Sequence, residues 1–213
     1  MTDTVGEELI KKTLRELEQA GKPQADSRSW KDPTGYRFLT AWSNSALLRI
    51  LVRCLTNSFP KSEYRRKAQM DDAIRSVVRN IEEGFKRSTT GEYIQFIGYS
   101  QGSLEEVKGD IRDCGEDKFL TYQLGSSVSG LGIDLKAWND WCRNPLNSSR
   151  FPEFKLRESK GVYRNLKDIK GSDLTYEIFM ELINKTDWLL RRLVQSLENK
   201  QEDLKLRLGG MKR

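Results

Sequence analysis

The chemistry on offer in this sequence is cationic. Lys61, Arg65, Arg75, Arg79 and Lys86 fall on one broad band of a helical stretch, with Arg66, Lys67 and Arg87 flanking it. The tail adds Lys205, Arg207, Lys212 and Arg213 with no acidic residue among them. Clustered cations bind phosphate chiefly by releasing condensed counterions, so such a band suits an RNA or DNA backbone. Phosphate contacts position a nucleic acid without reading its bases. The chain shows no alternation of arginine with aromatic residues of the kind that stacks unpaired bases, so sequence-specific reading is not expected. The competing reading is a solvated face, because Asp71 and Asp72 sit among the bases at salt-bridge spacing. Arg157, Lys160 and Arg164 are a second group of candidates in a loop-rich region.

Other chemistries lose their usual residues. Histidine is absent, which removes the commonest general base, the commonest metal ligand and every Ser-His or Cys-His nucleophile pair. An enzyme is therefore not expected, nor a cofactor. Glu82, Glu83, Glu105, Glu106 and Asp110 suggest a metal-binding bundle, but the di-iron pattern needs Glu-x-x-His on two helices. Glu83 and Glu105 are expected instead to join Asn80 and Ser103 in hydrogen bonds between helices. The run from Gly125 to Gly130 lacks the lysine and hydroxyl residue that complete a phosphate loop. Cys54, Cys114 and Cys142 have no metal-ligand spacing and read as reduced small hydrophobes. The net charge of +6 is uneven: residues 1–120 hold 20 basic and 19 acidic side chains, residues 121–213 hold 17 and 12. That excess fits a polyanion partner but is modest for a dedicated nucleic-acid binder.

The elements that must carry these cations are helices. Met70, Ile74, Val77, Ile81 and Phe85 recur at helical spacing, and so do Tyr93, Ile97, Ser100, Leu104, Val107, Ile111 and Cys114. Between the two rows, Ser88 to Gly91 are turn formers, with Thr89 or Thr90 as N-cap. Helices joined so closely fold back antiparallel. Ahead of them a helix over 36–58 is apolar on two sides. Leu39, Trp42, Ala46, Ile50 and Cys54 form one row, and Leu47, Leu51 and Leu55 form another. The second row calls for cover by the N-terminal helix, an insertion or another subunit. Phe59-Pro60 closes that helix. A last helix over 173–199 carries Phe179, Leu182, Thr186 and Leu189.

The expected fold is all-α: an antiparallel four-helix bundle with helices near 36–58, 60–87, 91–116 and 173–199. An amphipathic helix over 4–20 and a linker holding Trp30 fill residues 1–29, and the bundle occupies 30–213. Residues 118–172 form an insertion between the third and fourth helices, with a short helix at Asp134 to Arg143 and Trp138 or Trp141 tucking it down. Residues 200–213 form a basic tail, in which Gln201 to Leu208 can prolong the last helix before Gly209-Gly210 stops it. Gly98 and Gly102, four apart inside a helix, each cost about 1 kcal/mol relative to Ala. Close helix packing is the ordinary reason for such a choice, and a ligand approaching the backbone is the other. No apolar run approaches the ~20 residues of a membrane span. The polar, acidic start is not a secretory signal, so a cytoplasmic protein is expected.

Three landmarks carry a family resemblance: Phe59-Pro60-Lys61-Ser62-Glu63, Arg79-Asn80-Ile81-Glu82-Glu83-Gly84 and Gly102-Ser103-Leu104-Glu105-Glu106. They resemble the 23S-rRNA intervening-sequence four-helix-bundle proteins. Trp30 to Tyr36 and the ending Leu208 to Arg213 are similar to a longer subgroup with a four-helix-bundle suffix region. Where the family usually has a proline and an alanine in its second helix, this chain has Val78 and Glu82. The same superfamily includes the accessory variability determinant of diversity-generating retroelements, a homopentameric bundle that binds nucleic acid and a reverse transcriptase. The resemblance implies a non-enzymatic helical module, oligomeric (pentameric by likeness), handling RNA or DNA and assisting a reverse transcriptase. The alternative is a protein-interaction scaffold whose basic face is ordinary surface.

Overall fold

The computed structural model describes Arg28 and residues 32–147, 150–157 and 163–210, without the side chains of Tyr163, Lys205 and residues 207–210. The expected helix over 4–20 and Trp30 lie outside the described residues. Among the described residues, five α-helices and one small hairpin follow in order: α1 (Thr40–Thr56), α2 (Tyr64–Phe85), α3 (Thr90–Glu116), α4 (Leu135–Arg143), β1 (Lys155–Arg157), β2 (Tyr163–Asn165) and α5 (Tyr176–Gly210). The class is all-α, as the periodicity requires.

Packing closes a ring: α1 lies on α2, α2 on α3, α3 on α5, and α5 back on α1. The seams meet in one core, where Ile74, Ile81, Ile97, Leu104, Ile111, Phe179 and Leu182 are all buried. Leu189 is only half-buried, because α5 is open on that side. Helix α3 starts at Thr89, whose hydroxyl accepts from Glu92 N and donates to Glu92 Oε2 (2.8 Å), a reciprocal cap. Gly84 lets α2 and α3 meet closely here, since a Cβ would stand 2.7 Å from Phe96 Cβ and 2.9 Å from Tyr93 Cδ2. The Arg28 guanidinium donates to the carbonyls of Gly84 and Arg87 at the end of α2 and lies 4.2 Å over the Tyr93 ring.

The 118–172 insertion leaves and returns at one place, where Thr121 bridges Thr175 and Tyr176 N donates to Thr121 O. It holds its own buried residues, among them Val128, Ile133, Leu156, Leu166 and Ile169. Trp138 is the tie: fully buried, it donates from Nε1 to Ser43 O (2.7 Å) and packs on Phe151 and Phe154. Asp134 caps α4 by accepting from the N–H groups of Lys136 and Ala137.

Several expectations need correction. Leu47, Leu51 and Leu55 are buried within the chain. Of the expected covers it is the insertion that serves, through α4 and the turn Gly171–Asp173, beside α2, α5 and the turn Gly35–Phe38, so this row needs no second subunit. The hairpin is not foreseen by the sequence; with three residues per strand and Leu156 the one buried residue of β1, its alternation is too short to stand out. α5 is prolonged through Gln201 to Leu208, one of the expected readings, but Gly209-Gly210 does not stop it, since the helix continues to Gly210. Glu105 pairs with Lys108 on its own helix, and the buried bond between α2 and α3 runs from Ser100 Oγ to Val77 O (2.9 Å). Among the described residues no helix is long and apolar enough to cross a membrane.

Candidate nucleic-acid interface

The expected cationic band divides once its partners are seen. Arg66 pairs with Asp117 (2.6 Å) and Glu63 (3.3 Å) and lies 5.0 Å over the Phe119 ring, tying the start of α2 to the end of α3. Lys67 donates to Asp71, Asn57 and Thr56, tying α2 to the end of α1. These two are clamps with their charge already met. Lys61 and Arg65 have no carboxylate within ion-pair reach among the described residues, and Arg65 donates to the Tyr64 hydroxyl (3.0 Å). Lys86 stands 5.7 Å over the Tyr36 ring and Arg87 4.3 Å over Phe96. The side chains of Lys205 and Arg207, and Lys212 and Arg213 altogether, lie outside the described residues.

The middle of the band gains partners that the sequence did not offer. α1 and α2 are antiparallel neighbours, and each carries two arginines one turn apart: Arg49 and Arg53 on α1, Arg75 and Arg79 on α2. Arg53, Arg79 and Arg75 are all near enough for their positive charge to act on Arg49. Burial and then the positive fields of Arg53, Arg79 and Arg75 lower the Arg49 pKa, with Glu82 opposing. Arg75 pairs with exposed Asp72 (3.1 Å) and Arg79 with Glu82 (2.9 Å). Glu82 also accepts from Trp42 Nε1 (3.0 Å), so its departure from the family pattern has a structural use. Among the described residues neither Arg49 nor Arg53 has an ion pair. Exposed pairs contribute roughly 0–1 kcal/mol, so a phosphate can displace Asp72 at little cost.

Beside the quartet, α2 and α3 enclose an open groove of about 750 Å³. Arg75, Arg79, Asn80 and Glu83 line one wall, with Tyr99 and Ser103 on the other and Gly98 and Gly102 also lining it. A Cβ at either glycine would meet nothing within 4 Å, so close packing is not their reason. Tyr99 is 51% exposed, contacts Phe96 edge-on (5.7 Å) and accepts from Gln95 Nε2. Arginines on α2 thus stand beside aromatics on α3. The expected lack of arginine–aromatic interleaving is true along the chain and fails across the helix pair. Sequence reasoning misses Arg49 and Arg53 because the apolar rows of α1 dominate its pattern. Their spacing of four on one helix, against the same spacing at Arg75 and Arg79, was the available signal.

Glu106, Asp110 and Asp113 gather farther along α3. Asp110 accepts from Gln69 Nε2 (3.0 Å), and burial, then Glu106 and Asp113, push its pKa up to about 6. No cluster among the described residues has the donors to hold a metal ion. Cys114 and Cys142 are buried and free, with burial raising their thiols to about 11 and about 12.

Residues 37–129 match the family model described as 23S rRNA-intervening sequence protein. The match takes in α1, α2 and α3, and with them the arginine quartet and the groove, so the family likeness holds over that stretch. Searches of curated proteins and of solved structures found no match.

Proposed function

We propose that this chain is a non-enzymatic accessory protein that binds the backbone of RNA or DNA on the α1–α2–α3 face. One observation carries the reading: Arg75 and Arg79 line an open groove together with Gly98, Gly102 and exposed Tyr99. Guanidinium groups suit phosphate because their planar fork donates two hydrogen bonds at once. Bare glycine backbone admits a sugar–phosphate chain, and Tyr99 offers a face for an unpaired base. Single strands are favoured over duplex, since only they present unstacked bases to such a groove. The rRNA named in the matching family's description agrees with an RNA ligand. Lys61, Arg65, Lys86 and Arg87 extend the positive surface along α2, whose 22 residues span ~33 Å.

The test is a salt titration. Arg75→Ala/Arg79→Ala and Arg49→Ala/Arg53→Ala should each weaken all single-stranded ligands. Each should also lower the slope of log K against log salt by roughly one for every phosphate left unneutralised. Lys67→Ala should leave the slope unchanged, because its charge is met inside the fold. If the wild type binds neither RNA nor DNA at about 50 mM salt, where screening is weak, the protein-interaction scaffold takes its place. The pentamer and the reverse transcriptase implied by the resemblance are separate expectations, tested by mass measurement and by co-purification.

A further inference from the structure

A second recess lies away from the arginines, between the start of α1, α4 and α5. It encloses about 500 Å³ and is walled by Leu135, Leu189 and the face of Trp188, with Asn44, Asn139 and Asn184 set among them. Asn44 is 2% exposed, and its side-chain oxygen is buried with no hydrogen-bond partner. An acceptor taken from water and left unmet destabilises the fold, and a ligand's N–H would recover that loss. The Asn139 oxygen accepts from Ser43 Oγ, so of its amide the NH2 group is the part left to bind a ligand, and Asn139 lines the recess. Trp188 is 59% exposed, whereas Trp42 and Trp138 are buried. An open indole beside an apolar recess is a stacking platform.

A polar recess of about 430 Å³ adjoins it, sharing Leu135 and Lys185 and lined further by Lys136 and Arg157. Its acids are committed: Asp134 caps α4, and Glu181 accepts from Val128 N and pairs with Lys185. Lys136 and Arg157 have no ion pair among the described residues. Gly132, at φ +82°, lets its loop close against the Arg157 carbonyl and so fixes the end of β1 here. Both volumes lie within the roughly 300–1,000 Å³ of small-molecule sites.

We propose that the two recesses form one site for a nucleotide. The base stacks on Trp188 with its polar edge on the asparagine amides, and the phosphate sits against Lys136 and Arg157. Planar heterocycles with adjacent donors and acceptors match amide groups, as asparagine does with the N6/N7 edge of adenine. A lipid would leave the amides unpaired, and a free sugar would leave the indole and leucine wall uncovered. The site is independent of the arginine groove. Its ligand is either a free nucleotide or one unpaired nucleotide of a strand.

The full-length chain is titrated with AMP, ATP, adenosine and short oligoadenylate, followed by calorimetry and tryptophan fluorescence. Ribose 5-phosphate and inorganic phosphate serve as controls. Nucleotide binding with quenching is expected, weakened at least fivefold in Trp188→Ala, since stacking on an aromatic contributes about 1–3 kcal/mol per base. Lys136→Ala/Arg157→Ala should weaken AMP and ATP while leaving adenosine unchanged. Both sets of positions are exposed, so folding is checked by circular dichroism and survives. Arg75→Ala/Arg79→Ala should leave nucleotide binding intact, which separates this site from the groove. Binding of AMP identifies a free nucleotide as ligand; binding of oligoadenylate alone, if Trp188→Ala weakens it further in the Arg75→Ala/Arg79→Ala background, identifies a strand. The proposal is overturned if no nucleotide binds at millimolar concentration, if inorganic phosphate competes as well as AMP, or if Trp188→Ala changes nothing.

Discussion

Replacing Gly98 and Gly102 with alanine separates packing from ligand access. Both glycines lie in the interior of α3, and the methyl groups would enter open space. Glycine in an exposed helix interior is worse than alanine by roughly 0.5–1 kcal/mol, so the double variant should gain about 1–2 kcal/mol. For a domain of this length that is a rise in Tm of a few degrees, at about 2–4 °C per kcal/mol. Gly84→Ala is the contrast, because its methyl would strike Phe96 Cβ and Tyr93, and overpacking of this kind costs about 1–3 kcal/mol. If the groove holds a nucleic-acid backbone, the double variant should also bind single-stranded RNA more weakly while melting higher. Thermal melts and fluorescence anisotropy on the same preparations read both effects. A lower Tm would refute the open-groove geometry. A higher Tm with unchanged RNA affinity would refute the use of the groove.

Four further outcomes are expected. Leu104 is 1% exposed at the centre of the α3 seam, so Leu104→Ala should cost about 2–5 kcal/mol by chemical denaturation, and a loss below 1 kcal/mol would mean the seam is not core. Asp110 has a folded-state pKa near 6 against its usual 3.8, so the stability tied to its proton is complete below about 4 and is lost as pH rises through 6. Asp110→Asn should therefore leave Tm unchanged near pH 4 and raise it at pH 7.5; an equal effect at both would sink the assignment. Light scattering at micromolar concentration should give a mass near the 24.7 kDa of one chain, since the second apolar row of α1 is covered within it; a fivefold mass would restore the assembly implied by the resemblance. Arg49→Gln should stabilise the fold at low salt by relieving the quartet's repulsion, with the gain shrinking as salt rises, and a salt-independent loss would make Arg49 a structural group.

The sequence carried the bundle because a 3.6-residue period over five or more turns leaves little else for Tyr93 to Cys114 to be. It narrowed the cap of α3 to Thr89 or Thr90, of which Thr89 serves, while Asp134, read as the first residue of α4, is its cap. The insertion was opaque for the opposite reason: Val128, Ile133, Leu156, Leu166 and Ile169 are buried one at a time from loops and three-residue strands, with no period to read. The candidate interface was half legible. Arg75 and Arg79 stood in the band, but which of its cations were free depended on Asp117 and Asn57, far away in the chain. Arg49 and Arg53 belong to the site only because α1 and α2 run antiparallel. The groove depended on what α2 and α3 leave open, which spacing along one helix does not reveal.

The costly features of this fold fall where its candidate ligands would go. A protein selected for stability alone would not set four arginines near enough for their positive fields to meet at Arg49. Nor would it place two glycines in an open stretch of helix, or bury an asparagine oxygen without a donor. Each choice costs on the order of 1 kcal/mol or more, against a folding free energy of about 5–15 kcal/mol. None is relieved by packing, for the glycines touch nothing and Asn44 has no neighbour to satisfy it. A ligand relieves each one by its own chemistry: phosphate for the arginines, close-approaching backbone for the glycines, an N–H donor for Asn44. Local rules broken without compensation inside the fold mark the places where compensation comes from outside it.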